Sequence, residues 1–173
     1  MPLPPLVGLI MGSYSDIKHL EETIMVFKEF AVPFEARALS AHRTPAEVAR
    51  WATEAEKMGL KVLIAAAGGA AALPGVVAAH TLLPVIGVPI PTALMNGMDS
   101  LLSIAQMPAG VPVATMACGM GGARNAGLLA VQILALADPK LAEMLQVSRR
   151  QMAAKVIERD NVLQEKIRNE YKI

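Results

Sequence analysis

Short apolar runs alternate with longer amphipathic stretches along the chain, and this alternation is the main structural signal in the sequence. The runs are rich in Val, Ile, Leu and Ala and end at Gly, Pro or polar residues, which is typical of buried strands. We predict strands at 6–11, 34–39, 62–67, 84–88 and 111–116. We predict helices at 16–30, 45–58, a short segment ending near 80, 99–106 and 121–137.

A last, longer helix is predicted from Pro139 to about Tyr171, with Asp138 at its start. Its apolar positions recur at spacings of seven and four, at Leu145, Met152, Val156, Leu163 and Ile167. Such spacing places them on one helical face, and charged residues cover the other. We expect this helix, about 139–171, to pack on a neighbouring subunit.

Strands that alternate with helices indicate βαβ units, right-handed crossovers and a parallel sheet. Five strands predict an α/β three-layer sandwich with a flavodoxin-like sheet of order 2-1-3-4-5. The sequence shows no linker, repeat or low-complexity segment, so residues 1–173 are predicted to form a single domain. Ligands in such sheets lie beyond the carboxyl ends of the strands. The loops after the first three strands are therefore the first places to look for chemistry.

Charge and cysteine content narrow the function class. The 16 basic and 15 acidic residues give a net charge of +1, which indicates neither a nucleic-acid partner nor a membrane surface. Cys118 is the single cysteine, which favours a reducing cytoplasm over an oxidising compartment. The first residues have no basic segment and contain prolines, so they do not resemble a signal peptide.

The middle of the chain is almost free of charge. Between Lys61 and Arg124 the only formally charged residue is Asp99. Glycines and prolines interrupt this region too often for a membrane-spanning helix of about 20 residues. So much apolar surface in a small domain predicts a large subunit interface, and an Ala-rich core is the alternative.

Residues after the first strand favour anion binding. Gly12 permits close backbone approach, and Ser13 and Ser15 offer hydroxyls and amides at a helix start, where phosphate binds well. Asp16 is suited to accept hydrogen bonds from ribose hydroxyls. An ordinary helix cap is the alternative interpretation.

The second loop carries the candidate proton carrier. A histidine side chain is suited to both give and take a proton, which makes His42 the candidate, while Arg43 can hold phosphate or carboxylate. Ser40 and Ala41 precede them. Thr44 is predicted to cap the next helix, in a capping box with Glu47.

The third loop combines glycines with apolar residues. Gly69 and Ala70 are predicted to bring the backbone close to a flat ligand, with Leu73 in the same stretch, and close helix–strand packing is the alternative.

Cys118 lies in a Gly-rich turn without a nearby base. The sequence holds no metal-ligand cluster, no GxGxxG fingerprint and no Walker motif, so no metal or cofactor is expected.

Together these loops resemble the PurE family, in one order and register over residues 6–137. The matching stretches are Met11–Ser13 with Asp16, Ser40–Pro45, Ala67–Ala71 with Leu73–Gly75, Gly97–Leu101, Ser103–Ile104, Gln106–Val113 and Asn125–Ala126 with Leu128–Ala130. The resemblance implies a three-layer α/β fold, a homo-octamer and a ribonucleotide substrate, 5-phosphoribosyl aminoimidazole carrying a carboxylate. It also implies a role for each matching loop.

In those roles, Ser13 and Arg43 hold the phosphate with Ser40 nearby, and Asp16 holds the ribose. His42 carries the proton, and the backbone around Gly69 and Ala70 lines the base and the carboxyl group. The Arg43–Pro45 segment is similar to the mutase branch, in which N5-carboxyaminoimidazole ribonucleotide becomes its 4-carboxy isomer through carbon dioxide as an intermediate. His42 would act first as acid and then as base.

One departure keeps other functions open. The family pattern implies His where this chain has Ala72 and Gly where it has Ala66. A methyl group cannot transfer a proton, so three alternatives stay open: the second histidine only assists, the chain is a divergent paralogue, or the position was altered deliberately. The alternatives to the mutase are a direct carboxylase or decarboxylase of the lyase class, and a non-catalytic ribonucleotide-binding protein.

Overall fold

The computed structural model describes residues 4–171 of the 173-residue chain. The five strands are β1 Val7–Met11, β2 Phe34–Ala38, β3 Val62–Ala67, β4 Val85–Pro89 and β5 Ala114–Thr115. The α-helices are α1 Glu21–Glu29, α2 Pro45–Glu54, α3 Leu73–Ala79, α4 Met98–Ala105, α5 Met120–Ala135 and α6 Pro139–Tyr171. A 3₁₀ helix, Tyr14–His19, precedes α1.

All neighbouring strands pair in parallel, in the order β2-β1-β3-β4-β5. The order reverses between β1 and β3, so this pair forms the switch point where ligands bind in open α/β sheets. β1, β3 and β4 are buried along their whole length, which explains their continuous apolar runs. The predicted three-layer, flavodoxin-like architecture is confirmed.

Both faces of the sheet are covered. On one face, Ile10, Leu63 and Ala65 share a buried cluster with residues of α2, α3 and α4. Strand residues of opposite parity, such as Leu9 and Ile64, are equally buried on the other face. α1 and α5 pack closely against each other, since the hydroxyl of buried Thr23 donates to the Ala123 carbonyl at 2.7 Å.

Three predicted elements differ in extent from the structure. The expected helix over 16–30 is broken at Leu20, because the capped 3₁₀ helix comes first and α1 begins at Glu21. Regular α2 ends at Glu54 and a turn leads to Gly59, where φ is +93°. β5 keeps only two residues of the predicted six, because the chain turns at 108–111 and Pro112 has no N–H to donate.

The chain divides into two compact units, one up to Leu134 and one from Ala135 onward. The second consists mainly of α6, a helix of 33 residues. The Asp138 carboxylate accepts the Lys140 backbone N–H at 2.9 Å, which confirms the predicted start of this helix. Across residues 4–171, none of the helices combines the length and apolar character that spanning a membrane requires.

Candidate functional site

A cleft of about 500 Å³ opens at the carboxyl ends of the first four strands. The loops after β1, β2, β3 and β4 all contribute to its walls. The lining residues are Gly12, Ser13, Asp16, Ser40, Ala41, His42, Arg43, Ala67, Gly68, Ala71, Ala72, Leu73, Ile90, Pro91 and Thr92. The structure therefore brings together most of the residues predicted from the first two loops in one concave site, whereas Ser15 lies outside its lining.

The loop after β1 is folded by its own polar side chains. Ser13 caps the 3₁₀ helix, and its side chain accepts the Ser15 backbone N–H at 3.4 Å. The Asp16 carboxylate accepts the Ser13 backbone N–H at 3.1 Å, which completes a capping box. The capping interpretation of this loop is therefore confirmed, and anion binding stays a prediction for the same residues, which also line the cleft.

The loop after β2 is a tight turn closed by Thr44. Its hydroxyl accepts the Ser40 backbone N–H at 2.9 Å and lies 3.1 Å from the Ser40 carbonyl oxygen. The predicted capping box at Thr44 is wrong, because this hydroxyl is engaged by the turn and makes no capping bond to α2. Glu47 pairs with Arg50 instead. The turn presents His42 and Arg43 toward the cleft.

Arg43 joins the first two loops. Its Nη2 donates to the Gly12 carbonyl oxygen at 3.3 Å, and its Nε donates to the Ser40 hydroxyl at 3.4 Å. A guanidinium has five N–H donors, so several remain for an anion in the cleft. The side chain is exposed, and its position next to Ser13 gives the cleft a positively charged corner.

His42 lies at the rim of the cleft with an exposed side chain. Within residues 4–171, no hydrogen bond fixes its ring. Both ring nitrogens are consequently available to a ligand, as a proton carrier requires. The other histidines lie outside the lining: His19 ends the 3₁₀ helix, and His80 directly follows α3 rather than lying within it.

The loop after β3 lines the cleft with Leu73, as expected, and otherwise with residues other than those expected. Ala67, Gly68, Ala71, Ala72 and Leu73 belong to the lining, whereas Gly69 and Ala70 do not. The Gly69 backbone faces α4 instead: its N–H donates to the Ser100 hydroxyl at 2.9 Å, and its carbonyl accepts from Ser103 at 3.2 Å. The positive φ of +67° at Gly69 explains why the chain can turn there.

Ile90, Pro91 and Thr92 after β4 complete the lining, and none of them was predicted from the sequence. The Thr92 hydroxyl lies 2.7 and 2.8 Å from the two carboxylate oxygens of Asp99. A usable signal existed, because Asp99 is the one formal charge between Lys61 and Arg124. Such an isolated charge in an apolar segment needs a polar partner nearby.

Cys118 is a separate feature. Burial raises the pKa of its thiol, the Asp99 carboxylate raises that pKa further, and a backbone hydrogen bond at Gly119 lowers it. Its sulfur lies 3.8 Å from the Asn96 carbonyl oxygen, and it is not among the residues that line the cleft. A raised pKa keeps the thiol protonated at neutral pH, which makes it a weak nucleophile.

Among the described residues, no three His, Cys, Asp or Glu side chains form a metal-binding group.

The two sides of the cleft differ in polarity. Loops after β1 and β2 supply Ser13, Asp16, Ser40 and Arg43, whereas loops after β3 and β4 supply mainly apolar residues. His42 lies at the rim with the polar group. A ligand with a phosphorylated sugar at one end and a flat, weakly polar ring at the other matches this division.

Comparison with known families decides the relationship. A family model described as AIR carboxylase matches residues 6–155. This chain belongs to the AIR carboxylase family. The resemblance to PurE predicted from the loops is therefore confirmed.

Members of this family with curated names are similar over nearly the whole chain. The N5-carboxyaminoimidazole ribonucleotide mutase of Synechocystis sp. is 53% identical over 160 residues, which cover 92% of this chain and 90% of that protein. The mutase of Bacillus subtilis is 52% identical over 161 residues, or 93% of this chain and 99% of its own. The crystal structure of Treponema denticola PurE aligns with a TM-score of 0.84 at 33% identity, over 92% of this chain and 98% of that one.

Proposed function

We propose that this chain is an N5-carboxyaminoimidazole ribonucleotide mutase, an isomerase of purine biosynthesis that forms the 4-carboxy isomer. One observation carries the proposal: a single cleft at the sheet's switch point gathers His42, Arg43, Ser13 and Asp16. Relatives that are 52–53% identical across at least 90% of both chains are named for this activity. The substrate is thus a small ribonucleotide.

The polar side of the cleft fits the phosphoribosyl group. Arg43 presents its guanidinium between the loops after β1 and β2, and Ser13 lies at the start of the 3₁₀ helix beside it. Charge-assisted hydrogen bonds of this kind are the strong ones for phosphate. Asp16 keeps one carboxylate oxygen on the Ser13 N–H, which leaves acceptor capacity for ribose hydroxyls.

The apolar side fits the imidazole ring and the transferred carboxyl group. Ala67, Ala71, Leu73 and Ile90 carry no polar side-chain atoms, so the ring meets little competing hydrogen bonding there. We propose that the backbone of Gly68 and of residues 71–73 forms this surface. Gly69 and Ala70 lie outside the lining and support this surface. Exclusion of water on this side would retain carbon dioxide between its release and its recapture.

We assign both proton transfers to His42. The imidazolium gives its proton to N5 of the carbamate as the N–C bond breaks and carbon dioxide leaves. The ring carbon C4 then attacks carbon dioxide, and the neutral imidazole removes the C4 proton, which restores the aromatic ring. The histidine ends the cycle protonated, as it began, so one group acts as acid and then as base.

Ala72 makes His42 the sole imidazole in the lining of this cleft. Its backbone has ordinary right-handed helical angles, φ −68° and ψ −21°, and its side chain is half-buried. A histidine at this position would meet no backbone strain. The proposal therefore predicts that His42 alone sustains turnover in this chain.

The test is His42→Asn, with His80→Asn as its matched control because His80 is exposed and outside the cleft. Asparagine keeps polarity and approximate size but transfers no proton. Since general acid–base catalysis contributes about 10²- to 10⁴-fold, kcat should fall by at least about that lower factor. Binding of the substrate, measured by calorimetry, should remain within a few fold. Full turnover in His42→Asn would refute the assigned role.

The carbon source separates this activity from a direct carboxylase. The mutase converts N5-carboxyaminoimidazole ribonucleotide without added bicarbonate, because carbon dioxide comes from the substrate itself. A chain that is active only on aminoimidazole ribonucleotide and high bicarbonate would instead be a carboxylase. If the chain binds either ligand without turnover, and the His42→Asn variant binds that ligand equally well, the chain would be a ribonucleotide-binding protein.

We further propose a homo-octamer in the cytoplasm, formed by a single functional domain over residues 1–173. Exposed apolar side chains support an extensive subunit interface. On α6 they include Met152, Val156 and Leu163, which are 49%, 64% and 50% exposed. We expect α6 to pack on a neighbouring subunit. Light scattering should then give a mass about eight times the 18.3 kDa of one chain.

A further inference from the structure

The backbone ladder between β3 and β4 is interrupted at the point where the cleft opens. Within the ladder, the Leu63 N–H donates to the Pro84 carbonyl oxygen at 2.9 Å, and the Ile90 N–H donates to the Ala67 carbonyl oxygen at 2.9 Å. Bonds in a parallel ladder repeat every two residues along each strand. The next bond in this series would join the Gly69 N–H to the Ile90 carbonyl oxygen.

A side-chain hydroxyl from α4 takes the place of that bond. The Gly69 N–H donates to the Ser100 Oγ at 2.9 Å, and the Ser100 Oγ donates to the Ile90 carbonyl oxygen at 2.7 Å. Ser100 has no exposed surface. A hydroxyl has one donor and two acceptor sites, so it satisfies both backbone groups at once.

This insertion changes the shape of the sheet edge. Two hydrogen bonds in series replace one direct bond, so the Gly69 N–H and the Ile90 carbonyl oxygen are joined through the Ser100 hydroxyl, beyond the last register pair of Ala67 and Pro89. The residues that follow on each side, Gly68 and Pro91, both line the cleft. The serine hydroxyl therefore acts as a spacer between the two apolar walls.

Two neighbours on the same helical turns hold the separated ends. Ser103 places its hydroxyl 3.2 Å from the Gly69 carbonyl oxygen, on the β3 side. Asp99 accepts from the Thr92 hydroxyl, on the β4 side. Ser100 lies between them and contacts both sides. Residues 99, 100 and 103 thus fix the β3 and β4 loops to one rigid helix.

We infer that Ser100 is a positioning residue of the active site, which sets the spacing of the apolar walls around the imidazole ring and the transferred carboxyl group. The inference rests on the proposed mutase function. Ser100 lies outside the cleft lining, so it acts through the Gly69 and Ile90 backbone rather than by contact with substrate. The phosphate-binding residues lie on other loops and are not held by it.

The test is Ser100→Ala against Thr23→Val. Both variants remove a fully buried hydroxyl that donates to a backbone carbonyl at 2.7 Å, but Thr23 lies on α1, bonded to Ala123 and away from the cleft. Displacement of reacting groups by about 1 Å can cost about 100-fold in rate. We expect kcat for Ser100→Ala to fall between about 10-fold and 100-fold, with KM changed less than about threefold. Thr23→Val should keep both constants.

Ser100→Cys provides a second variant in case the alanine protein does not fold. It preserves the side-chain shape in the buried site, while the thiol is a weak donor and acceptor, so kcat should fall in the same direction. If the Ser100 variant that folds has the same kcat as Thr23→Val, the inference about Ser100 is overturned, and the proposed function is not. Absence of turnover in the unmodified chain would overturn the proposed function and this inference with it.

Discussion

Replacement of Arg43 by alanine tests the phosphate site most directly. Two side-chain hydrogen bonds, to the Gly12 carbonyl and the Ser40 hydroxyl, hold the guanidinium between the first two loops. The side chain is exposed, so its removal should change folding stability little. Arg43→Ala should therefore weaken substrate binding and leave the amount of folded protein nearly unchanged.

The expected size follows from the contact that is lost. A hydrogen bond to a charged group contributes about 1.5–3 kcal/mol. At about 1.4 kcal/mol per factor of ten, Arg43→Ala should raise KM by roughly 10- to 100-fold. Since the guanidinium does not carry the proton, kcat at saturating substrate should change much less. Arg43→Lys should lie between the two, because lysine keeps the charge but not the planar fork.

Arg50→Ala is the matched control. It removes the same charge from the neighbouring helix α2, where Arg50 is exposed and paired with Glu47 outside the cleft. Initial rates over a range of N5-carboxyaminoimidazole ribonucleotide concentrations give kcat and KM for each variant. If Arg43→Ala and Arg50→Ala have the same KM, the phosphate does not bind at Arg43 and the assignment of the polar side is wrong.

Two further substitutions address the site and the core. Ala72→His should leave kcat within about threefold of the unmodified chain, because His42 already carries both proton transfers; a rise of about tenfold or more would show that a second imidazole assists. Gly8→Ala should lower the free energy of unfolding by about 1–3 kcal/mol in urea titrations, since the added methyl would lie 2.7 Å from the Trp51 ring. Gly121→Ala, whose new methyl would have no atom within 4 Å apart from its chain neighbours and its own helix backbone, should show no such loss.

The centre of the sheet was predictable from sequence because its strands β1, β3 and β4 are buried on both faces. Val62–Ala67 is apolar throughout and bounded by Lys61 and Gly68, so pattern and structure coincide. The length of β5 was overpredicted, because an apolar run does not show whether its backbone N–H and C=O groups find hydrogen-bond partners on a neighbouring strand. The break at Leu20 was missed because apolar spacing continues from the 3₁₀ helix into α1.

The site was predictable where chemistry and position coincided. His42 and Arg43 carry reactive or charged groups in the loop that follows a strand, and the structure places both at the cleft. Thr44 misled the prediction because the same hydroxyl can cap a helix or close a turn, and only three-dimensional contacts decide between these. The role of Ser100 depends on a ladder bond absent between Gly69 and Ile90, and no local sequence pattern records a missing bond.

The two outer strands of the sheet bear on how the chain behaves at high concentration. β5 offers only two residues of paired backbone, and β2 carries the exposed charged residue Arg37 beside the half-buried Glu35. Unprotected strand edges recruit strands from other molecules, and shortness and charge are two ways in which proteins prevent this. Loss of the charge at Arg37 would therefore favour fibrous aggregates that grow from the β2 side.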